Sequence, residues 1–268
     1  MIWLSESFRK RLNPPWRGVR DAMEVKGRVY RNPPGANRRT LRFERDGQGY
    51  FLKLHWGVGW GEIFKNLFSL RLPVIGAGNE WRAIQRLESL GVETMRLEAW
   101  GEEGWNPARR RSFVVTRELE NTISLEDYCA SWKQSPPDPG LKRQLIGRVA
   151  AMTRQLHENG LNHRDLYICH FLLRQPWDGS AGSLHLYLID LHRVQQHRRL
   201  PRRWRVKDVG SLYFSAMDLG LTNRDRLRFL RGYYKQPLRR ILQEHGDFLQ
   251  AVEQRARALR NKGIREND

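Results

Sequence analysis

The spacing of apolar residues changes partway along the chain, and this change constrains the fold more than any other feature. Within residues 27–54, apolar and polar side chains alternate in three short segments, the first two separated by a turn at residues 33–37. This period-two pattern predicts three antiparallel strands. After Ser124 the apolar residues recur at helical spacing, most clearly in residues 141–157. Strands followed by a mainly helical half predict an α+β fold.

Two helices and one strand are predicted between these parts. An aromatic stripe covers residues 60–68, a second helix begins at Asn79, and residues 112–116 form a strand. The strand leads into a waist that contains Glu118 and Leu119, which we count among the cofactor-binding residues.

We place the boundary between two lobes at this waist. Residues 1–117 form the predicted N-terminal, nucleotide-binding lobe. Residues 118–268 form the predicted C-terminal lobe, which carries the catalytic loop and binds the acceptor.

The charge balance points to negatively charged partners. The 268-residue chain has 48 Lys and Arg against 29 Asp and Glu, a formal net charge of +19. Nucleic acid, anionic lipid headgroups, phosphorylated sugars and small acidic proteins all fit this charge. The two cysteines are too few for a disulfide framework. No segment approaches the roughly 20 apolar residues of a membrane span, and no secretory signal is visible, so we expect a cytoplasmic protein.

A candidate catalytic loop follows the long helix. Residues 162–173 read Asn-His-Arg-Asp-Leu-Tyr-Ile-Cys-His-Phe-Leu-Leu. This resembles the protein-kinase catalytic loop, in which His-Arg-Asp-Leu is followed by three residues and an Asn. The tripeptide alone is a weak signal, but here a long helix precedes it and a short apolar strand follows. We interpret Asp165 as the catalytic carboxylate and His163 as a packed histidine that supports the loop.

Three further residues supply what phosphoryl transfer needs. The apolar segment 184–189 ends in Asp190, where a kinase places the carboxylate that holds Mg²⁺. Lys53 lies inside the third strand and needs an anionic partner, which Glu80 near the start of the second helix could supply. Such a pair holds the α and β phosphates of ATP. Positioning and charge neutralisation account for most of this chemistry, so few residues suffice.

Six stretches together carry a more specific resemblance: residues 51–53, 71–74, 122–128, 163–173, 189–193 and 201–205. With them, nearly the whole chain is similar to the lipopolysaccharide core heptose(I) kinase family, also called WaaP or RfaP. The resemblance implies a bilobal protein-kinase-like fold, with an antiparallel sheet and helix in the first lobe and a mainly helical second lobe.

The same resemblance implies an activity and roles for the candidate residues. Members of this family phosphorylate the first heptose of the lipopolysaccharide inner core, using ATP and a divalent metal, here Mg²⁺ or Mn²⁺. Asp165 would then be the catalytic base, Lys53 and Glu80 would contact the nucleotide phosphates, and Asp190 would bind the metal.

The sequence departs from the kinase pattern at three places. Residues 32–37, Asn-Pro-Pro-Gly-Ala-Asn, are not a glycine-rich loop, so the phosphate clamp must differ. His170 stands where kinases carry a metal-binding Asn, although Mg²⁺ prefers oxygen ligands. His170 is therefore an unusual ligand to metal or phosphate, or a supporting residue. Residues 190–192 lack the usual Phe and Gly, which predicts a short, ordered loop in place of an activation loop.

A basic stretch follows the proposed metal ligand. Residues 193–207 contain many arginines and no carboxylate. We interpret these side chains as binding phosphate and acidic sugar groups of lipopolysaccharide, with an ordinary solvated surface as the alternative. The residues assigned to the acceptor are Arg198, Arg199, Arg202 and Arg203.

The aromatic stripe of residues 60–68 has two interpretations. Packing into the core is the default. Alternatively, Trp60 and Phe64 enter a lipid interface while Lys65 and Arg71 meet anionic headgroups of the inner membrane. The basic surface could also bind an acidic accessory or carrier protein.

Other functional classes remain open from the sequence. A kinase for protein side chains would share the same core. His170, in the place of the usual Asn, also suggests a pseudokinase scaffold. The net charge and the ten tryptophans suggest a basic nucleic-acid-binding protein. The last is the least favoured, because no recognised nucleic-acid motif is present.

Overall fold

The computed structural model describes residues 1–31, 37–57, 59–68 and 76–265. Residues 32–36 of the first turn, and residues 71–74 of the family resemblance, lie outside the described part. The chain divides into two compact units. Unit 1 comprises Met1–Ser89, Met95–Leu119 and Leu191–Arg193, and unit 2 comprises Leu90–Thr94, Glu120–Asp190 and Val194–Asp268. The lobe boundary that the sequence suggested stays a prediction.

The described residues of unit 1 form an antiparallel sheet and four α-helices. Its strands are β1 (Ile2–Leu4), β2 (Arg28–Arg31), β3 (Arg38–Arg45), β4 (Gln48–His55), β5 (Leu97–Glu103) and β6 (Arg111–Arg117). Its helices are α1 (Glu6–Lys10), α2 (Val19–Met23), α3 (Gly59–Phe68) and α4 (Gly78–Ser89). The strand order is β1-β5-β6-β4-β3-β2. The three strands predicted within residues 27–54 are confirmed as β2, β3 and β4.

Strand β4 positions a lysine on one face of this sheet. It pairs with β3 on one side and β6 on the other, so both of its edges are covered. Leu52 and Leu54 are buried and pack with Phe8 of α1 and other apolar residues. Because successive side chains of a strand point to opposite faces, Lys53 lies on the face away from this core.

The described part of unit 2 contains five short strands and six α-helices. The strands are β7 (Thr122–Ser124), β8 (Leu161–Asn162), β9 (Phe171–Arg174), β10 (Leu186–Leu188) and β11 (Gln195–Gln196). The helices are α5 (Leu125–Tyr128), α6 (Pro139–Glu158), α7 (Arg202–Ser215), α8 (Asn223–Tyr234), α9 (Leu238–Glu244) and α10 (Gly246–Arg265). Antiparallel sheets join β10, β9 and β7, and separately β11 and β8. The helices α6, α7, α8 and α10 share a core that includes Ala150, Val209, Tyr233 and Val252.

Helix ends in unit 2 follow their capping residues. Ser124 caps α5 by accepting a hydrogen bond from the Asp127 amide at 3.1 Å. The long helix α6 begins at Pro139, earlier than predicted, because Asp138 Oδ1 accepts bonds from the amides of Gly140 and Leu141 at 2.7 and 3.0 Å. Asp138 is therefore the residue that caps the helix, and Pro139 is its first residue.

The aromatic stripe of α3 is exposed, and the expectation that it packs into the core is wrong for three of its residues. Trp60 and Phe64 are each 50% exposed, and Phe68 is 87% exposed. The Lys65 side chain and Arg71, which the membrane alternative also used, lie outside the described part.

The region after Asp190 is short and ordered, as predicted. Residues 191–193 form a 3-10 helix, β11 follows, and α7 begins at Arg202. Among the described residues, no helix combines the length and apolar character needed to cross a membrane.

Candidate active site

Lys53 and Glu80 form an ion pair within unit 1. Lys53 Nζ lies 2.6 Å from Glu80 Oε1. Glu80 is in the first turn of α4 and only 1% exposed, whereas the Lys53 side chain is 22% exposed. The second carboxylate oxygen of Glu80 is buried and has no hydrogen-bond partner among the described residues. The pair predicted from the sequence is therefore present, with the carboxylate buried and the lysine side chain partly exposed.

His55 lies two residues after Lys53 on the same face of β4. Burial is the main cause that lowers the pKa of His55 to about 4, and the positive charges of Lys53 and Arg38 lower it further. His55 is therefore neutral at pH 7 and adds no second positive charge beside Lys53.

Glu118 is held within unit 1 by its side chain and its amide. Arg42 Nη2 lies 2.7 Å from Glu118 Oε2, and the Arg42 Nε–H donates to the same carboxylate at 2.8 Å. The Glu118 N–H donates to Gly49 O at 2.9 Å. Its carbonyl oxygen is the group through which Glu118 could contact a nucleotide. Leu119 follows it and is partly buried, so the assignment of both residues to the cofactor stays a prediction.

In unit 2, a buried aspartate in α7 holds the backbone of the candidate catalytic loop. Asp208 is 0% exposed. Its Oδ2 accepts a hydrogen bond from the His163 amide at 2.6 Å, and its Oδ1 accepts one from the Arg164 amide at 2.8 Å. Arg164 has a φ of 74°, a left-handed conformation that is costly for a non-glycine residue unless its surroundings maintain it. The two bonds to Asp208 fix this bend, and Asp165 follows directly.

Two histidines complete the support beneath the loop. His157 of α6 places Nε2 3.3 Å from Asp208 Oδ2 and Nδ1 2.7 Å from the hydroxyl of Tyr233. His163 is 0% exposed and donates from Nε2 to Ile189 O at 3.0 Å. Burial lowers the pKa of His163, which favours a neutral ring. The expectation that His163 is packed is confirmed.

His170 connects the candidate base to the candidate metal ligand. Its Nδ1 lies 2.7 Å from Asp165 O, and because a carbonyl only accepts, the proton is on Nδ1. Its Nε2 lies 3.7 Å from Asp190 Oδ2. This contact places a ring nitrogen beside a carboxylate oxygen, and both are possible donors to a cation. His170 also stacks on His163 at 5.7 Å between ring centroids.

The described residues contain no group of three His, Cys, Asp or Glu side chains able to hold a metal ion. Asp190 and His170 offer one oxygen and one nitrogen donor, whereas Mg²⁺ at phosphoryl-transfer sites takes most of its ligands from phosphate oxygens and water. The nitrogen donor suits Mg²⁺ less well than an oxygen would.

The predicted acceptor arginines are all exposed: Arg198, Arg199, Arg202 and Arg203. The last two open helix α7. The structure adds a tryptophan to this region, because the Arg203 guanidinium lies 5.2 Å from the ring centroid of Trp204. Arg164 and Lys207 lie 5.5 and 5.8 Å from the same centroid. Three cations thus surround one indole ring in unit 2.

The sequence reasoning missed Asp208 and Trp204. Asp208 carries a readable signal, since it is an acid next to Val209 and two residues after Val206, on a helix that must bury its apolar residues. Trp204 is one of ten tryptophans, and nothing in the local pattern separates it from the others.

An apolar cavity of about 300 Å³ lies within unit 2. Its lining comes from α6, α7, α8, α10 and residues near the catalytic loop, and includes Leu145, Ile168, Leu212 and Phe229. Arg226 and Glu253 are the charged residues of the lining, together with Asp225.

Comparison with known proteins agrees with this geometry. A curated relative from Pseudomonas aeruginosa, named "Lipopolysaccharide core heptose(I) kinase WaaP", is 51% identical over 99% of this chain and 98% of its own length. The protein of the same name from Escherichia coli K12 is 50% identical over 92% of this chain and 94% of its own length. A solved structure described as "WaaP in complex with acyl carrier protein" superposes with a TM-score of 0.82 at 44% identity, covering 97% of this chain and 99% of that chain.

These similarities confirm the α+β, kinase-like fold class and the family resemblance. The family pattern described as "Lipopolysaccharide kinase (Kdo/WaaP) family" matches residues 20–233. With a matched pattern over most of its length and relatives that are half identical from end to end, the chain belongs to the lipopolysaccharide kinase (Kdo/WaaP) family.

Proposed function

We propose that this protein transfers the γ-phosphate of ATP to heptose I of the lipopolysaccharide inner core. Family membership supports ATP-dependent kinase chemistry, and relatives carrying the heptose(I) kinase name support the acceptor. The main observation in support of the proposal is the pair of hydrogen bonds that Asp208 accepts from the amides of His163 and Arg164. These bonds fix the backbone that precedes Asp165. A supported carboxylate of this kind acts as the base in protein kinases.

The reaction needs three contributions from the chain. Asp165 accepts the proton of the attacking sugar hydroxyl as the O–P bond forms. Lys53, kept charged and oriented by Glu80, neutralises the nucleotide phosphates. Glu118, through its carbonyl, and Leu119 contact the base of the nucleotide.

Asp190 and His170 hold the divalent metal in this proposal. When bound, Mg²⁺ or Mn²⁺ neutralises charge that develops on the phosphate oxygens. The bond from His170 Nδ1 to Asp165 O restrains the ring, so that Nε2 stays directed at Asp190.

The acceptor binds at the basic region of unit 2. Arg198, Arg199, Arg202 and Arg203 meet phosphate and carboxylate groups of the core oligosaccharide. Trp204, surrounded by Arg203, Arg164 and Lys207, offers an aromatic face to a sugar ring beside these cations. Because lipopolysaccharide is lipid-anchored and ATP is cytoplasmic, the protein works peripherally at the cytoplasmic face of the inner membrane.

The direct test is phosphate transfer from labelled ATP to a heptose-containing core oligosaccharide by the purified protein. Wild type should label the acceptor, and Asp165→Asn should reduce turnover by about 10²–10⁴-fold while leaving the circular dichroism spectrum unchanged. Asp218→Asn, at an exposed carboxylate in the same unit, is the matched control. Labelling of peptides instead of the oligosaccharide would favour a protein kinase and refute the proposal.

We further infer that the protein binds an acylated carrier protein. The structural relative is described as a complex with acyl carrier protein, and the net charge of +19 suits an acidic partner. The apolar cavity of unit 2 is a suitable place for the acyl chain, because its lining is almost entirely aliphatic and aromatic.

Chain length provides a test that leaves this protein unaltered. Acyl carrier protein carrying no acyl group, or chains of 8, 12 and 16 carbons, is titrated against the full-length protein. Each buried methylene contributes about 0.8 kcal/mol, so affinity should rise roughly fourfold per carbon until the cavity is filled. Affinity that does not change with chain length would exclude the cavity, and absence of binding by every carrier would exclude the partner.

A further inference from the structure

We propose that an aromatic surface on unit 1 docks this protein onto an anionic lipid bilayer. The aromatic surface consists of Trp56, Trp60, Phe64, Phe68 and Trp105. The proposal builds on the proposed function, because a lipid-anchored acceptor places the enzyme at a membrane, but it concerns residues to which neither the catalytic nor the acceptor chemistry assigns a role.

Helix α3 presents its aromatic residues in a row. Trp60, Phe64 and Phe68 are four residues apart, so they lie along one side of the helix. The rings of Trp60 and Phe64 stack with centroids 5.8 Å apart, although each residue is 50% exposed. Phe68, one turn further on, is 87% exposed. The rings therefore contact one another and also present apolar area to the outside.

The turn between β5 and β6 lies beside the beginning of α3 and adds a further aromatic residue. The amide of Gly59, at the start of α3, donates to Ala108 O at 3.0 Å. Gly57 has a φ of 87°, and a Cβ there would lie 2.5 Å from Ala108 O, so the turn packs directly on the backbone. Trp105, in the same turn, is 89% exposed. The turn therefore adds an aromatic side chain close to the beginning of the helix.

Basic residues accompany the aromatic ones. Arg109 and Arg111, in this turn and at the start of β6, are exposed. Tryptophan and phenylalanine beside arginine are typical of segments that lie in the headgroup region of a membrane. A ten-residue helix is too short to span a bilayer and is suited to lying in its surface. This mixture of charge and aromatic area favours an anionic lipid surface over an apolar protein partner.

Vesicle co-sedimentation of the full-length protein tests the docking. Wild type should bind vesicles containing phosphatidylglycerol and should bind pure phosphatidylcholine vesicles more weakly. Removing both phenyl rings in Phe64→Ala/Phe68→Ala should weaken binding about tenfold or more. Arg109→Gln/Arg111→Gln should weaken binding to the anionic vesicles about fivefold per charge and leave phosphatidylcholine binding unchanged.

Val29→Ala/Leu242→Ala removes exposed apolar side chains elsewhere and should bind vesicles like wild type. Phosphorylation of a water-soluble, deacylated core oligosaccharide should be unchanged in Phe64→Ala/Phe68→Ala, which separates docking from catalysis. The docking proposal fails if wild type does not bind anionic vesicles, or if the phenylalanine variant binds them as tightly as wild type. Loss of transfer by wild type would instead count against the proposed function.

Discussion

At the scale of single residues, the chemistry proposed for unit 1 depends on an ion pair whose two members differ in burial. Glu80 is enclosed and Lys53 is partly open, with their charged atoms 2.6 Å apart. A buried carboxylate is tolerated only with a compensating partner. Glu80 therefore restrains the lysine while part of the Lys53 side chain stays exposed.

The substitution Glu80→Gln tests how much the negative charge of Glu80 contributes to activity. The amide can still accept a hydrogen bond from the ammonium group of Lys53, but the ion pair is replaced by a weaker bond between a charged donor and a neutral acceptor. We expect kcat/KM for ATP to fall about tenfold. Steady-state kinetics with varied ATP measures this change.

The matched control is Glu102→Gln, on the same sheet. Glu102 lies 3.7 Å from Arg110 in a partly exposed pair, so its loss should change kcat/KM by less than about twofold. Equal effects of the two substitutions would mean that Glu80 has no special role.

At the scale of secondary-structure elements, helix α7 determines the shape of the catalytic loop. Asp208 contributes both oxygens to loop amides and also contacts His157 of α6. One carboxylate thereby joins two helices to the segment that carries Asp165. Substitution here should alter stability and turnover together.

Asp208→Asn should lower the free energy of unfolding by about 1–3 kcal/mol, because one loop amide loses its acceptor. The maximal rate of phosphate transfer should fall while KM for ATP changes little, since Lys53, the proposed nucleotide-binding residue, belongs to unit 1 and Asp208 to unit 2. Urea denaturation and kinetics measure the two effects. Asp218→Asn, whose partner Arg260 lies 3.1 Å away at an exposed site, should stay within about 0.5 kcal/mol of wild type.

The junction of α6 and α8 should be sensitive to acid. Burial alone would raise the pKa of Asp225, but hydrogen bonds from Lys142 and Thr222 outweigh it and lower the pKa to about 2. A carboxyl whose pKa is lower in the folded state stabilises the protein above its unfolded pKa of 3.8, and this stability is lost as pH falls toward 2.

Asp225→Asn isolates this contribution. Wild type should exceed the variant by about 2 kcal/mol in free energy of unfolding at pH 6. The gap should fall to about half at pH 3, where the carboxyl is largely protonated in the unfolded chain. Urea titrations at both pH values provide the measurement, and a gap independent of pH would contradict the assignment.

Local patterns predicted the elements that depend on local interactions. The strands β2 to β4 and the cap at Ser124 follow from alternation and from a hydroxyl before an acidic first turn. The pairing of β1 with β5 joins residues about a hundred positions apart, and no local signal contains it. The exposure of α3 was missed for the same reason, since periodicity shows that a helix has an apolar side but not what covers that side.

The candidate site also contains some residues that the sequence identifies and others that only the tertiary structure shows. Lys53, Asp165 and Asp190 were identifiable because their spacing matches a known chemistry. The hydrogen bonds of Asp208, and the placement of three cations around Trp204, depend on tertiary structure.

At the scale of the whole molecule, ligand binding should increase the thermal stability of the protein. A ligand that binds only the folded state stabilises it by RT ln(1 + [L]/Kd), about 2.7 kcal/mol at one hundred times Kd. With magnesium present, ATP should therefore raise Tm by about 5–10 °C. EDTA should remove most of this rise, and Asp190→Asn should show little difference between magnesium and EDTA. Differential scanning calorimetry provides the readout, and an equal rise with EDTA would rule out Asp190 as a metal ligand.

The burial of Asp208 should also limit the motion of the loop that contains His163 and Arg164. If the amides of His163 and Arg164 lost their hydrogen bonds to Asp208, its carboxylate would be left unsatisfied in the interior. In deuterium-exchange mass spectrometry, the peptide containing these amides should therefore exchange as slowly as the middle of α7, even though loops usually exchange quickly. The most reactive part of this enzyme would then be among its most rigid.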